Sequence, residues 1–401
     1  MMATKKADGV LQNIGNKENI VYGKSNIPVH QPQKQRLILG DIKNKVVRNV
    51  SRKPVVIKQD FIQKIPIKIQ RIPKPKPVEV KEIKNEVIAE KFYTNEMDVS
   101  EVEVLAEAFS TRILPGDVND IDAEDSEDPQ LVSNYVNDIY KYLRQMEIQY
   151  SIRINHLNKQ TEITGNMRGV LIDWLVQVQV HAKFNLLQET LYLTVAIIDR
   201  FLQECEVKKR EFQLVGVTAM FIASKYEEIY PPGISQFVYI TDKAYKKKEI
   251  LRMECLMLKT LNFSLGRPLP LHFLRRNSKA GDVNATTHTL AKYFMETTIV
   301  EYDLAHYSPS HLAAAALYLS MKLLDNSPWN KTLVYYSQYD ESQLLPLVYR
   351  LSHIIYTAEK NKLQAIHKKY THSKFLKIST IPQLKSKLVQ QFAEKHKQST
   401  N

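Results

Sequence analysis

Eleven histidines and two cysteines, Cys205 and Cys255, are the side chains best suited to metal ligation or nucleophilic catalysis, and their spacing assembles no reaction centre. No His-Glu-x-x-His, Cys-x-x-Cys or Gly-x-Ser-x-Gly occurs, and the kinase set of glycine-rich loop, catalytic-loop aspartate and Asp-Phe-Gly is missing. His306 and His311 flank a turn ahead of an alanine-rich segment. With no carboxylate or cysteine joining them at ligand spacing, they read as surface or packing residues. Gly23-Lys24-Ser25 resembles the end of a phosphate-binding loop, but the glycine required five residues earlier is Glu18, so the backbone cradle cannot close. The chain is expected to supply no catalytic group, metal or cofactor and to act by binding.

Two cysteines also make a disulfide framework or a zinc ribbon implausible, which fits a reducing, intracellular setting. No uninterrupted apolar run reaches 18 residues and the first residues carry no apolar signal core, so a soluble, unsecreted protein without a membrane partner is expected. The net charge of +13 is unevenly placed. Basic residues outnumber acidic ones 19 to 8 in positions 1–90 and 35 to 23 after 130, but acidic residues dominate 12 to 2 in 91–130. A basic tail, an acidic hinge and a mildly basic body follow. Basic charge with no helical or aromatic reading element is weak support for nucleic-acid binding, and none is expected.

The core must lie in the last 270 or so residues, because only Tyr22, Phe61, Phe92, Tyr93 and Phe109 among the aromatics precede residue 130. The first 90 residues hold seven prolines and no sustained periodicity and read as disordered. Asp128-Pro129 has the form of an N-cap followed by proline at the first helical position, so a helix is predicted to start there. Leu131, Val132, Tyr135, Val136, Ile139, Tyr140 and Leu143 would form its apolar stripe, with Tyr142 off it. From Thr164 onward helical spacing is almost continuous. Five helices are predicted to residue 261, the third bearing Gly216, Ala219 and Ala223 and so able to be approached closely. A shift of 97 residues lays Ala219-Met220-Phe221-Ile222-Ala223-Ser224-Lys225 over Ala316-Leu317-Tyr318-Leu319-Ser320-Met321-Lys322. This internal repeat predicts an all-α fold of two tandem five-helix bundles joined at Gly266-Arg267-Pro268, preceded by an N-terminal helix and a disordered tail.

Met167-Arg168-Gly169-Val170-Leu171-Ile172-Asp173-Trp174 resembles the cyclin box signature, with Gly169-Val170 where Ala-Ile is commoner. Asp199-Arg200-Phe201-Leu202, Ala223 to Pro232 and Leu251-Arg252-Met253-Glu254 extend the match. Residues 134–145, 266–276 and 377–384 resemble the B-type mitotic cyclins in particular. The resemblance assigns 1–125 to a regulatory and degradation tail, 126–265 to the N-terminal helix and first cyclin box, and 266–401 to the second box with a C-terminal extension.

It implies a non-catalytic regulatory subunit, cytoplasmic and nuclear with the cell cycle, that pairs as a heterodimer with a mitotic cyclin-dependent kinase and activates it for entry into mitosis. Lys225 and Glu254 would then hydrogen-bond backbone groups beside the kinase C-helix, Tyr226, Leu258 and Phe263 would add apolar contact, and Tyr135 and Tyr142 would touch the activation segment. A groove for R-x-L substrates would involve Met167, Val170, Leu171 and Trp174 with Phe212 and Gln213. Without the resemblance, a helical apolar stripe is core, Lys225 caps a helix end and Glu254 is a solvated charge. Arg168 and Asp199 are expected to form a structural ion pair.

Lys17-Glu18-Asn19 and Arg36-x-x-Leu39-x-x-Ile42-x-Asn44 resemble a KEN box and a full destruction box, read by the anaphase-promoting ubiquitin ligase. The longer pattern should arise by chance in roughly one of 10⁵ positions. A DNA-binding relative with two cyclin-like folds, similar to transcription factor IIB, is the alternative, but that family opens with a zinc ribbon and no cysteine precedes Cys205.

Overall fold

The computed structural model describes residues 114–125, 127–181 and 183–400, and every regular element among them is helical. Helix α1 (Val136–Gln149) leads. A first group follows, α2 (Gly165–Val180), α3 (Gln188–Glu204), α4 (Phe212–Glu227), α5 (Ile234–Ile240) and α6 (Lys247–Thr260). The second group is α7 (Pro270–Ala280), α8 (Ala285–Thr297), α9 (Pro309–Leu324), α10 (Lys331–Ser337) and α11 (Glu341–Thr357), and α12 (Ala365–Lys369) and α13 (Lys387–Thr400) close the chain. None of these helices is long and apolar enough to cross a membrane.

Lack of bulk puts α4 at the centre of the first bundle, where it touches α2, α3, α5 and α6. A Cβ on Gly216 would stand 2.7 Å from Leu171 Cδ1, so any larger residue would push α2 outward. Helix α9 is its counterpart: Ala313, Ala314, Ala315 and Ala316 are fully buried, and it packs on α7, α8 and α11. The 97-residue repeat therefore superimposes one central helix on the other, and the two-bundle expectation holds.

The start of α1 differs from its prediction. Asp128 does cap, accepting from the Gln130 amide at 2.9 Å, but the turn it caps is the 3₁₀ segment Pro129–Leu131. Val132 then enters the left-handed region at φ 48°, which ends that turn, and the α-helix begins only at Val136. Leu131, Val132, Tyr135 and Ile139 remain exposed, while Tyr140 and Leu143 pack partly into the core. Polar ties bind α1 chiefly to the second bundle. Tyr140 Oη donates to His272 O at 2.8 Å, and Glu147 accepts from Ser310 N at 3.0 Å and Ser310 Oγ at 2.7 Å, at the first turn of α9. A carboxylate there also meets the positive end of the α9 dipole.

Composition assigned residues 117–125 to tail and hinge, whereas the structure lays them along the second bundle, through ion pairs with residues far away in sequence. At the other terminus, α13 packs on α11 with Val389 and Ala393 buried, and α12 returns to the first bundle. There the Ala365 amide donates to Asp173 Oδ1 at 2.8 Å, and Lys369 Nζ, almost fully buried, reaches Gln179 Oε1 at 2.8 Å and Glu296 Oε1 at 2.6 Å.

Arg168 and Asp199 pair as expected. Nε and Nη2 donate to the two carboxylate oxygens at 2.6 and 2.7 Å, and Nη1 crosses to Ile299 O of the second bundle at 2.8 Å. His156 Nε2 lies 3.2 Å from Asp199 Oδ1. Burial by itself would raise the Asp199 carboxyl, but the Arg168 guanidinium and then His156 hold it well below the usual carboxylate range. Asp199→Asn should cost about 3–5 kcal/mol at neutral pH, because it strands a buried guanidinium. The pairing stabilises fully above the unfolded aspartate value of about 4 and is lost as pH falls towards the depressed native value. Urea midpoints of the native chain and Asp199→Asn should therefore draw together as the pH falls below about 4, and a constant gap would reject this account.

Candidate functional site

Lys225 lies in the last turn of α4, which ends ahead of Pro231-Pro232, and its charge suits the negative end of that helix. Glu254 lies midway along α6, whose first turn is closed by Glu249 accepting from the Lys246 amide at 2.8 Å. Where the two helices pack, the Lys225 ammonium and the Glu254 carboxylate bond to each other. Glu254 is only 7% exposed, so it is no solvated surface charge. Lys225 Nζ also stands 4.3 Å from the centre of the Phe221 ring. One ammonium proton and one carboxylate oxygen serve this pair, which leaves further donor and acceptor capacity for groups arriving from outside.

Apolar side chains lie close to the pair in sequence. Tyr226 is 57% exposed and Phe263 68%, with Leu258 half-buried one turn after Glu254. Phe263 follows Asn262 in the left-handed region, at φ 56° and 50°, uncommon for a bulky side chain. The Phe263 amide donates to Leu258 O at 2.8 Å, closing the end of α6, and the ring is exposed. Three further large apolar residues on the same two elements or just past them, Ile229, Tyr230 and Leu251, are exposed. Leu251 sits three positions before Glu254 on the same helical face, a spacing visible in sequence. Ile229 and Tyr230 lie in the segment leading to the proline break, where local pattern does not tell core from surface.

Lys225 and Glu254 thus meet where α4 packs on α6, with Tyr226 next to Lys225 in sequence and Leu258 and Phe263 towards and just past the end of α6. Tyr135, the residue that precedes α1, and Tyr142 on α1 are exposed on a different element. Of the groove candidates, Met167, Val170, Trp174 and Gln213 are half-buried, while Leu171 and Phe212 are buried beneath them. The end of α4 is acidic as well. Glu228 accepts from the Leu187 amide at 2.8 Å at the start of α3, and burial, with Glu189 and Glu228 nearby, raises the Glu227 carboxyl. His311 stacks on Tyr339 with ring centres 4.7 Å apart, a packing role. Lys17, Glu18, Asn19, Arg36, Leu39, Ile42 and Asn44 lie outside the described residues.

Comparison with known proteins agrees with this architecture. Residues 138–266 match the family described as "Cyclin, N-terminal domain" and residues 268–384 the one described as "Cyclin, C-terminal domain". The chain is 60% identical over 297 residues to a G2/mitotic-specific cyclin-B of Spisula solidissima, covering 74% of this chain and 68% of that one. It is 47% identical over 408 residues to a G2/mitotic-specific cyclin-B of Patella vulgata, covering 97% and 95% of the two chains. With G2/mitotic-specific cyclin-B2 of Gallus gallus it shares 47% identity over 402 residues, 98% of this chain and 99% of that one. Two alanine-centred bundles, a box signature at the start of the first and matches spanning almost the whole sequence place the chain in the cyclin family, among its B-type mitotic members.

Proposed function

We propose that the chain is the regulatory subunit of a mitotic cyclin-dependent Ser/Thr kinase and activates it by docking through the face centred on Lys225 and Glu254. The observation that carries this reading is a preformed ion pair, Glu254 buried and Lys225 at the exposed rim, on helices that also carry the exposed aromatic Tyr226 and end close to the exposed Phe263. Buried anchors inside an apolar ring are the usual anatomy of a binding hot spot. A kinase is active only when its Lys-Glu pair to the C-helix and its activation loop are in place. A rigid surface that binds this assembled state shifts the population towards it, and moving a 1:99 equilibrium to 99:1 takes about 10⁴-fold preferential binding. Tyr135 and Tyr142 supply contacts to the activation segment, and the shallow surface of Met167, Val170, Trp174 and Gln213 over Leu171 and Phe212 takes R-x-L substrates.

Destruction by the anaphase-promoting ubiquitin ligase through the two tail motifs completes the cycle, with the protein moving between cytoplasm and nucleus. The near full-length relatives are mitotic cyclins, which favours this reading over the DNA-binding alternative.

Replacing both charges, Lys225→Ala with Glu254→Ala, should reduce kinase activation at least about 30-fold, the scale of a hot-spot loss, with little change in melting temperature because neither partner is left unpaired. Histone phosphorylation by the mixed complex measures it, and full activation would reject the assignment. In mitotic extract, Arg36→Ala with Leu39→Ala should lengthen the half-life of the chain, with partial compensation by Lys17-Glu18-Asn19. Unchanged turnover after both motifs are disabled would dispose of the degradation reading.

A further inference from the structure

Residues 117–125 cross the second bundle as an acidic strap. Asp117 pairs with Lys331 of α10, and Asp125, in a 3₁₀ turn, pairs with Lys279 of α7. Between them Asp122 makes a two-pronged bond with Arg276 of α7, Nη2 to Oδ2 at 2.6 Å, while Lys279 Nζ approaches Oδ1 at 3.3 Å. Backbone ties fix the register. The Asn119 amide donates to Thr332 Oγ1 at 3.2 Å and the Ile121 amide to Tyr336 Oη at 3.4 Å, and Ile121 itself packs against the core.

Arg276 is only 6% exposed and has α1 as its other neighbour. The same Nη2 that binds Asp122 donates to Asn137 Oδ1 at 3.2 Å, and the guanidinium carbon lies 5.4 Å from the centre of the Tyr140 ring and 4.7 Å from that of Tyr336. Asn137 and Tyr140 hold the first turns of α1. The exposed Tyr135 and Tyr142 stand two residues before the one and two after the other. Removing the Asp122 charge leaves a buried guanidinium unbalanced in the middle of this contact. Burial opposes ionisation of Asp122, but Arg276 and Lys279 keep its carboxyl below the usual range, so the strap is charged at neutral pH.

We propose that residues 117–125 are a charge-latched strap and that Asp122 is a positioning residue, locking Arg276 and through it the pose of α1 and its two exposed tyrosines. The proposal rests on the docking reading above and adds a control on its α1 contacts from outside the two bundles.

Three variants of the full chain test it. Asp122→Asn removes the latch charge at constant shape, Lys279→Ser weakens the latch from its exposed rim, and Asp122→Glu keeps the charge. Amide hydrogen exchange in Ile139 to Leu143 should quicken about tenfold in Asp122→Asn and less in Lys279→Ser, with α4 and α9 unchanged. The concentration of chain giving half-maximal histone phosphorylation by a mitotic cyclin-dependent kinase should rise about tenfold at an unchanged maximal rate. Asp122→Glu should restore most of both. Unchanged α1 exchange, or faster exchange without a shift in half-activation, overturns the proposal. Failure of the unaltered chain to activate the kinase at any concentration overturns the docking reading itself, and with it the positioning role, before any variant is compared.

Discussion

The pairing of Arg168 with Asp199 is the constraint on which the arrangement of the two bundles depends. A guanidinium with no solvent exposure is tolerable only if its donors are met and its charge balanced. Asp199 supplies the charge from α3, and Ile299 O supplies a further acceptor from the second bundle. One side chain therefore satisfies itself only when α2, α3 and the turn after α8 are all in place. The neighbouring Gly169 makes the approach possible, since a Cβ there would stand 3.0 Å from Val300 O. That is the physical reason a glycine suits a position where alanine is commoner among similar boxes.

A surface meant to favour one shape of a partner must itself resist deformation, and the proposed docking face has that character. Its charges are paired with each other before any partner arrives, and Glu254 is held by α6 while Lys225 is held by α4. Phe263 sits in a backbone conformation that costs about 1–2 kcal/mol in a non-glycine residue, sustained by the bond from its amide to Leu258 O. Strain kept in a folded protein requires surroundings that fix it. Here what it fixes is an outward-facing aromatic ring.

Much of the fold was legible because helical periodicity and the match of Ala219 to Lys225 with Ala316 to Lys322 are local properties. Thr164 and the α4 boundaries could be read from a few adjacent residues. What escaped depends on partners distant in the chain. Asp122 and Arg276 are 154 positions apart and Asn119 and Thr332 213 apart, so nothing near 117–125 distinguished a bound strap from an acidic hinge. The α1 start was misjudged for the converse reason: Asp128-Pro129 is a sound local cap, but it serves one 3₁₀ turn that Val132 ends. In the site, Lys225 and Glu254 were recognisable by motif, yet their mutual bond was not, because it arises from the crossing of α4 and α6.

The return of α12 to the first bundle bears on how the protein is made. Asp173, Gln179 and Gln188 near the start of the body wait for partners at Ala365, Lys369 and Tyr370, nearly two hundred residues later. A ribosome adding about 5–20 residues per second exposes α2 for some ten to forty seconds before α12 is synthesised. During that interval the first bundle has its own core but an unfinished outer surface. Nascent chains stalled short of residue 370 thus leave these groups of the first bundle to be satisfied by water instead.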